Sequence, residues 1–165
     1  MRRQALRLVA ALCLLAPACA PAPPVVAPAG GSVAVWDLDD LTQGSASDAG
    51  LGDVLAGPVI EVVRSRGFQV VERQRLLLVL EELRIGSSAL ADESTRLRLG
   101  RLAGARWMVF GGYQVYGGQM RIDLRLVDVE TGAVRRAAQR TAPAGNLAPE
   151  LEAARAAAQD LVPGG

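Results

Sequence analysis

The chain has no histidine and no lysine, and both of its cysteines, Cys13 and Cys19, fall within the first nineteen of its 165 residues. Without histidine a serine nucleophile lacks its ordinary general base, and without lysine it lacks the usual substitute. Zinc loses its imidazole ligands throughout and its thiolate ligands beyond residue 19. No internal disulfide can staple the remaining chain, so its fold must rest on its core. Gly111-Gly112 is not followed by the Lys-Ser/Thr of a phosphate loop, and no dinucleotide fingerprint follows a strand. These absences argue against an enzyme, and no cofactor is expected.

All eighteen basic residues are arginine, and they face seventeen acids. Arg2, Arg3 and Arg7 precede the uncharged apolar stretch Leu8 to Ala16, and Ala16-Pro17-Ala18 then leads to Cys19. That three-part layout is a secretory signal over residues 1–18. Nine helical residues would span about 14 Å, too little for a hydrocarbon core of about 30 Å. Cys19 has two readings. It is either the acylated cysteine of a lipobox, which Leu15, Ala16 and Ala18 suit and Pro17 does not, or the first residue after a plain Ala-x-Ala cleavage site. Residues 19–31 are rich in Ala and Pro, which predicts an extended tether. Loss of the signal leaves fifteen arginines and a net charge of −2. No basic excess is present for nucleic acid.

From Ser32 to about Val162 the length suits one domain that buries roughly two thirds of its unfolded surface. Ser32 to Trp36 predicts a strand, and Leu41 to Gly50 a loop. Leu51, Val54, Leu55, Val59, Val62 and Val63 predict a helix that Pro58 either kinks or begins. Phe68 to Val71 reads as a second strand. Leu76, Leu77, Leu80 and Leu83 form an apolar stripe on a helix from Glu72 to Arg84, with Arg73, Arg75, Glu81 and Glu82 on its wet side. A loop from Ser87 leads to Asp92 or Ser94 as the cap of a third helix, which buries Leu99, Leu102 and Ala103 before Gly104 ends it. The period then changes from helical to alternating. Trp107 to Val115, Met120 to Leu126 and Ala133 to Thr141 predict a three-stranded meander with turns at Gly117-Gly118 and Glu130-Thr131-Gly132. Leu147, Leu151, Ala154, Ala158 and Leu161 share one face of a closing helix. The fold class is α/β, a single mixed sheet of about five strands packed with about four helices.

Two clusters are candidate sites. Asp37, Asp39 and Asp40, with Asp48 and Asp53 nearby, could offer oxygen ligands to Ca²⁺ or Mg²⁺, although their spacing misses the EF-hand pattern and solvated loop carboxylates explain them as well. Arg121 and Arg125, with Arg136 or Arg140 on a neighbouring strand, could form a basic stripe for an acidic partner, or simply the wet face of a half-covered sheet. Glu72-Arg73 fits the first turn of a helix, where a carboxylate favours the dipole.

Five stretches in order carry a resemblance: Val33-Ala34-Val35-Trp36-Asp37; Val70-Val71-Glu72-Arg73; Leu99-Gly100 with Ala103-Gly104-Ala105; Val109-Phe110-Gly111; and Arg125 through Asp128 to Thr131-Gly132. Together they resemble the CsgG-type superfamily of envelope lipoproteins, with its FlgO, LpoB and TolB amino-terminal relatives, over about residues 32–161. Pro58 departs from the family pattern, as does Leu38, where an aromatic commonly follows the first strand. The resemblance implies a TolB amino-terminal or anticodon-binding-like sandwich on an outer-membrane lipid anchor, facing the periplasm. It also implies a role through protein contacts: a secretion channel in the CsgG branch, a peptidoglycan-synthase activator in the LpoB branch, a flagellum-associated factor in the FlgO branch. The expectation is a non-enzymatic assembly or regulatory partner of an envelope machine. An oligomeric curli-type channel component and a ligand- or cation-sensing domain are the alternatives. A channel needs membrane-crossing strands of about 9 to 11 residues in addition to the soluble sheet. The one hairpin long enough, Trp107 to Val129, is also the expected centre of that sheet.

Overall fold

The computed structural model describes residues 31–42, 50–83 and 92–162. The signal, Cys19, nearly all of the expected tether, Asp48 and the segment from Arg84 to Ala91 lie outside the described residues. The elements run β1 (Ser32–Val35), β2 (Asp39–Asp40), α1 (Leu51–Ser65), β3 (Gln69–Val70), α2 (Arg73–Glu82), α3 (Glu93–Leu102), β4 (Trp107–Tyr116), β5 (Gln119–Asp128), β6 (Val134–Pro143) and α4 (Leu147–Leu161). They form one mixed six-stranded sheet in the order β3-β1-β4-β5-β6, with β2 paired to β4 beyond the end of β1. β1 runs parallel to β3 and β4, whereas β4, β5 and β6 are an antiparallel meander.

Alternation along β4 and β5 feeds two cores, one on each side of the sheet. Trp107, Val109, Tyr113, Ile122, Leu124 and Leu126 point to the side covered by α1 and α4. Met108, Phe110 and Val127 point to the side of α2 and α3, where Ala34, Leu76 and Ala103 close a smaller cluster. Asp92 caps α3 by accepting from the Thr95 N–H at 3.2 Å, and Asn146 caps α4 by accepting from the Ala148 N–H at 3.2 Å. Gly117 and Gly118 take φ of 56° and 74° at the β4–β5 turn, conformations that side chains resist.

The expected elements form, with four corrections. α1 starts at Leu51 and runs to Ser65, so it does not begin at Pro58, which is buried inside it. β2 was not anticipated, because two aspartates carry no strand pattern; the chain breaks at Trp36 to Leu38, where the Leu38 N–H donates to the Gly52 carbonyl at 3.2 Å. On α2 the leucine stripe is only partly covered: Leu76 is buried, Leu80 and Leu83 are half-buried and Leu77 is 51% exposed, with Leu78, outside the stripe, 60% exposed. Val54 and Leu102 are also exposed, each one position off the face its helix buries, and so is Leu147, which is on the buried face but at the first residue of α4.

Two glycines of α1 make opposite demands. A Cβ on Gly52 would overlap the Leu38 carbonyl oxygen, whereas one on Gly57 would meet nothing. Gly52→Ala should therefore destabilise the domain by about 1–3 kcal/mol through overpacking. Gly57→Ala should stabilise it by about 0.5–1 kcal/mol. Guanidinium unfolding of the two variants checks the opposite signs.

Candidate functional site

At the carboxyl end of β1, three aspartates meet two arginines. Asp37 accepts from Arg73 on α2 at 2.8 Å, and the same guanidinium also reaches Asp53 on α1. Asp39 accepts from Arg96 on α3 at 2.8 Å. Arg96 is only 9% exposed, with its guanidinium over the rings of Trp36 at 5.8 Å and Phe110 at 5.9 Å. That placement joins an ion pair to cation–π attraction in a partly desolvated site.

Asp40 turns the other way. It accepts from the Thr42 N–H at 2.8 Å. Burial pushes its carboxyl up, but bonds from the Thr42 N–H and hydroxyl and from the Tyr113 hydroxyl outweigh this and hold it below the usual range. Burial and the nearby Asp53 and Asp39 charges hold the Asp37 carboxyl above that range despite Arg73. The three proposed cation ligands thus have three different sets of partners and do not converge. Among the described residues, no group of three His, Cys, Asp or Glu side chains is placed to hold a metal ion.

Between the end of β1 and α2 lies a groove of about 180 Å³, with Val35, Trp36, Leu76, Leu77 and Leu80 as its walls and Asp37 and Arg73 at its rim. Nothing in the leucine pattern distinguished this wall from a buried stripe, because both have the same helical period.

The arginine quartet does not form one stripe. Arg121 lies opposite Thr141 and Arg125 opposite Ala137, whereas Arg140 lies opposite Ile122 and Arg136 opposite Leu126. Directly opposed residues share a face, so Arg121 and Arg125 stand on the α2–α3 side and Arg136 and Arg140 on the α4 side. Arg121 pairs with Asp123 at 2.7 Å and Arg125 with Glu93 at 3.1 Å. Arg140 pairs with Asp160 of α4, and Arg136 donates to the Asp160 carbonyl at 3.4 Å. α2 and α3 leave much of β5 and β6 open on their side, so Arg121 and Arg125 do occupy the wet half of a half-covered sheet.

A polar centre that the sequence reading did not single out sits at the end of β5. Asp128 is fully buried, accepting from Arg106 at 3.0 Å and from Arg135 at 3.1 Å. It also accepts from the N–H groups of Glu130 at 3.0 Å and Thr131 at 3.1 Å. The Asp-x-x-Thr-Gly signature is therefore an Asx-type turn with two guanidiniums added, and Gly132 takes the φ of 70° that closes it. Burial pushes the Asp128 carboxyl up, but the Thr131 N–H, Arg135, the Glu130 N–H and Arg106 together hold it below the usual range. A carboxyl lowered in the folded state adds stability above its unfolded pKa of about 3.9, and that stability is lost as pH falls through the folded value. Asp128→Asn should cost about 3 kcal/mol near neutral pH, with the deficit shrinking in acid. Urea unfolding from pH 7 down to pH 3 measures both.

Comparison with known proteins follows the same architecture. Solved structures that share the fold include the following. The LpoB C-terminal domain from Salmonella enterica aligns with a TM-score of 0.59 at 18% identity, over 71% of this chain and 85% of that one. A PelC dodecamer from Paraburkholderia phytofirmans aligns at 0.56 and 15%, over 85% and 92%. The lipoprotein GNA1162 from Neisseria meningitidis aligns at 0.53 and 17%, over 72% and 83%. No curated protein sequence matches. Residues 32–120, more than half of the chain and spanning β1 to the start of β5, match the family described as the curli production assembly/transport component CsgG. The chain belongs to the CsgG family.

Proposed function

We propose that this protein is a non-enzymatic envelope lipoprotein, exported by residues 1–18 and anchored through Cys19, whose domain acts through protein contacts as an assembly or regulatory partner of an envelope machine. The observation that carries the reading is the match of residues 32–120 to a family of assembly and transport components. The sequence supports it from the chemical side, since no histidine or lysine is available to activate a nucleophile. The tether of residues 19–31 gives the domain reach from the membrane towards a periplasmic partner. Arg121 and Arg125, on the open half of the sheet, belong to the outward surface of the tethered domain.

A ring-forming reading draws on the likeness to PelC, which is a dodecamer. The hairpin speaks against a pore, because β4 and β5 supply the sheet face of the larger core, seven of its buried side chains from Trp107 to Leu126. Their departure into a membrane would leave α1 and α4 with little to cover.

Cys19→Ala should move the exported protein from the membrane to the soluble fraction. If the variant stays membrane-bound, the lipid anchor is wrong. Native mass spectrometry of the detergent-solubilised wild-type chain separates the two assembly readings: the regulatory partner is expected without a closed ring, and a ring of many copies would replace that reading with the structural one.

A further inference from the structure

The groove beside α2 has a chemistry of its own. Five consecutive apolar residues, Leu76 to Leu80, lie on a ten-residue helix, yet Leu76 alone among them is buried. Helices normally place such side chains against the core, because each buried aliphatic side chain contributes about 1.5–3 kcal/mol. Here Leu77 is half exposed in a groove wall that it shares with Trp36, Leu76 and Leu80. At about 180 Å³ the groove falls below the roughly 300–1,000 Å³ of small-molecule sites. It is the size of an anchor pocket, which receives one or two side chains of another protein.

The rim selects the charge of the occupant. Arg73 at the rim pairs with both Asp37 and Asp53, which leaves one carboxylate in excess of the guanidinium they share. Arg96 is largely enclosed between two rings, so Arg73 is the cation left to serve both Asp37 and Asp53 at the surface. A cation brought by the occupant would complete this set, and an anion would be repelled.

We propose that the groove seats an apolar side chain of a partner envelope protein, presented within about one helical turn of an arginine or lysine that pairs with Asp37 and Asp53. This rests on the reading that the protein works through protein contacts, and names where and with what chemistry.

Photocrosslinking in envelopes of cells that carry the full-length chain tests it, with a benzophenone amino acid at position 77 and, separately, at position 116. Tyr116 is 86% exposed at the far end of β4, well away from the groove. The expected result is an adduct from position 77 on another protein, mapped to a segment with an apolar residue close to Arg or Lys. Asp53→Lys should reduce its yield about tenfold, and circular dichroism should show the variant folded. No adduct from position 77, an adduct only on lipid or on a second copy of this chain, a segment without a basic residue, or a yield indifferent to Asp53→Lys would each overturn the proposal. Adducts from position 116 alone would sink the groove and leave the protein-contact reading standing; none from either position would sink both.

Discussion

Strand β4 is paired on both edges from Trp107 to Tyr113, and the domain is arranged to meet that requirement. Its ten residues pair with β5 on one side, while β1 and then β2 share the other side. Leaving either edge bare inside the core would strand backbone donors and acceptors away from water. The first strand is too short to do this alone, so the chain steps outward at Trp36 to Leu38 and returns as β2. That detour brings the Leu38 backbone against Gly52 and so fixes where α1 begins. It also turns Asp37 and Asp39 towards the α2–α3 side, where Arg73 and Arg96 receive them.

Close packing at the middle of β4 follows from the same demand. A Cβ on Gly111 would come within 2.6 Å of a Leu124 methyl and 2.9 Å of the Asp123 carbonyl oxygen. Gly111-Gly112 therefore serves the approach of neighbouring strands, as its lack of phosphate-loop partners suggested.

What the sequence made legible depended on whether a signal was local. Alternation from Trp107 to Thr141 and the glycine-bearing turns located the meander to within two residues, since period and turn chemistry are properties of neighbouring residues. The caps at Asp92 and Gly104 were readable for the same reason. Grouping Arg136 and Arg140 with Arg121 and Arg125 failed because register is not local: a pairing that sets Arg121 opposite Thr141 sends Arg136 and Arg140 to the α4 side. The leucines of α2 misled because periodicity identifies an apolar face without saying that anything covers it. Asp128 gave no local sign of a polar centre because its two arginines come from Arg106, just before β4, and Arg135, inside β6.

The outer strand β6 is ten residues long and ends the sheet, with three arginines and no acid along it. An edge of that length is a template for another strand, and proteins crowded at a surface meet one another's edges often. Because Arg136 and Arg140 lie on one face and Arg135 reaches back to Asp128, a second β6 laid alongside would bring guanidinium groups together without a carboxylate of its own. The two-faced arrangement that spoils the basic stripe thus has a second consequence: a copy of β6 laid against this edge would meet arginine and no acid on the strand itself, a charge pattern of the kind that discourages edge-to-edge pairing.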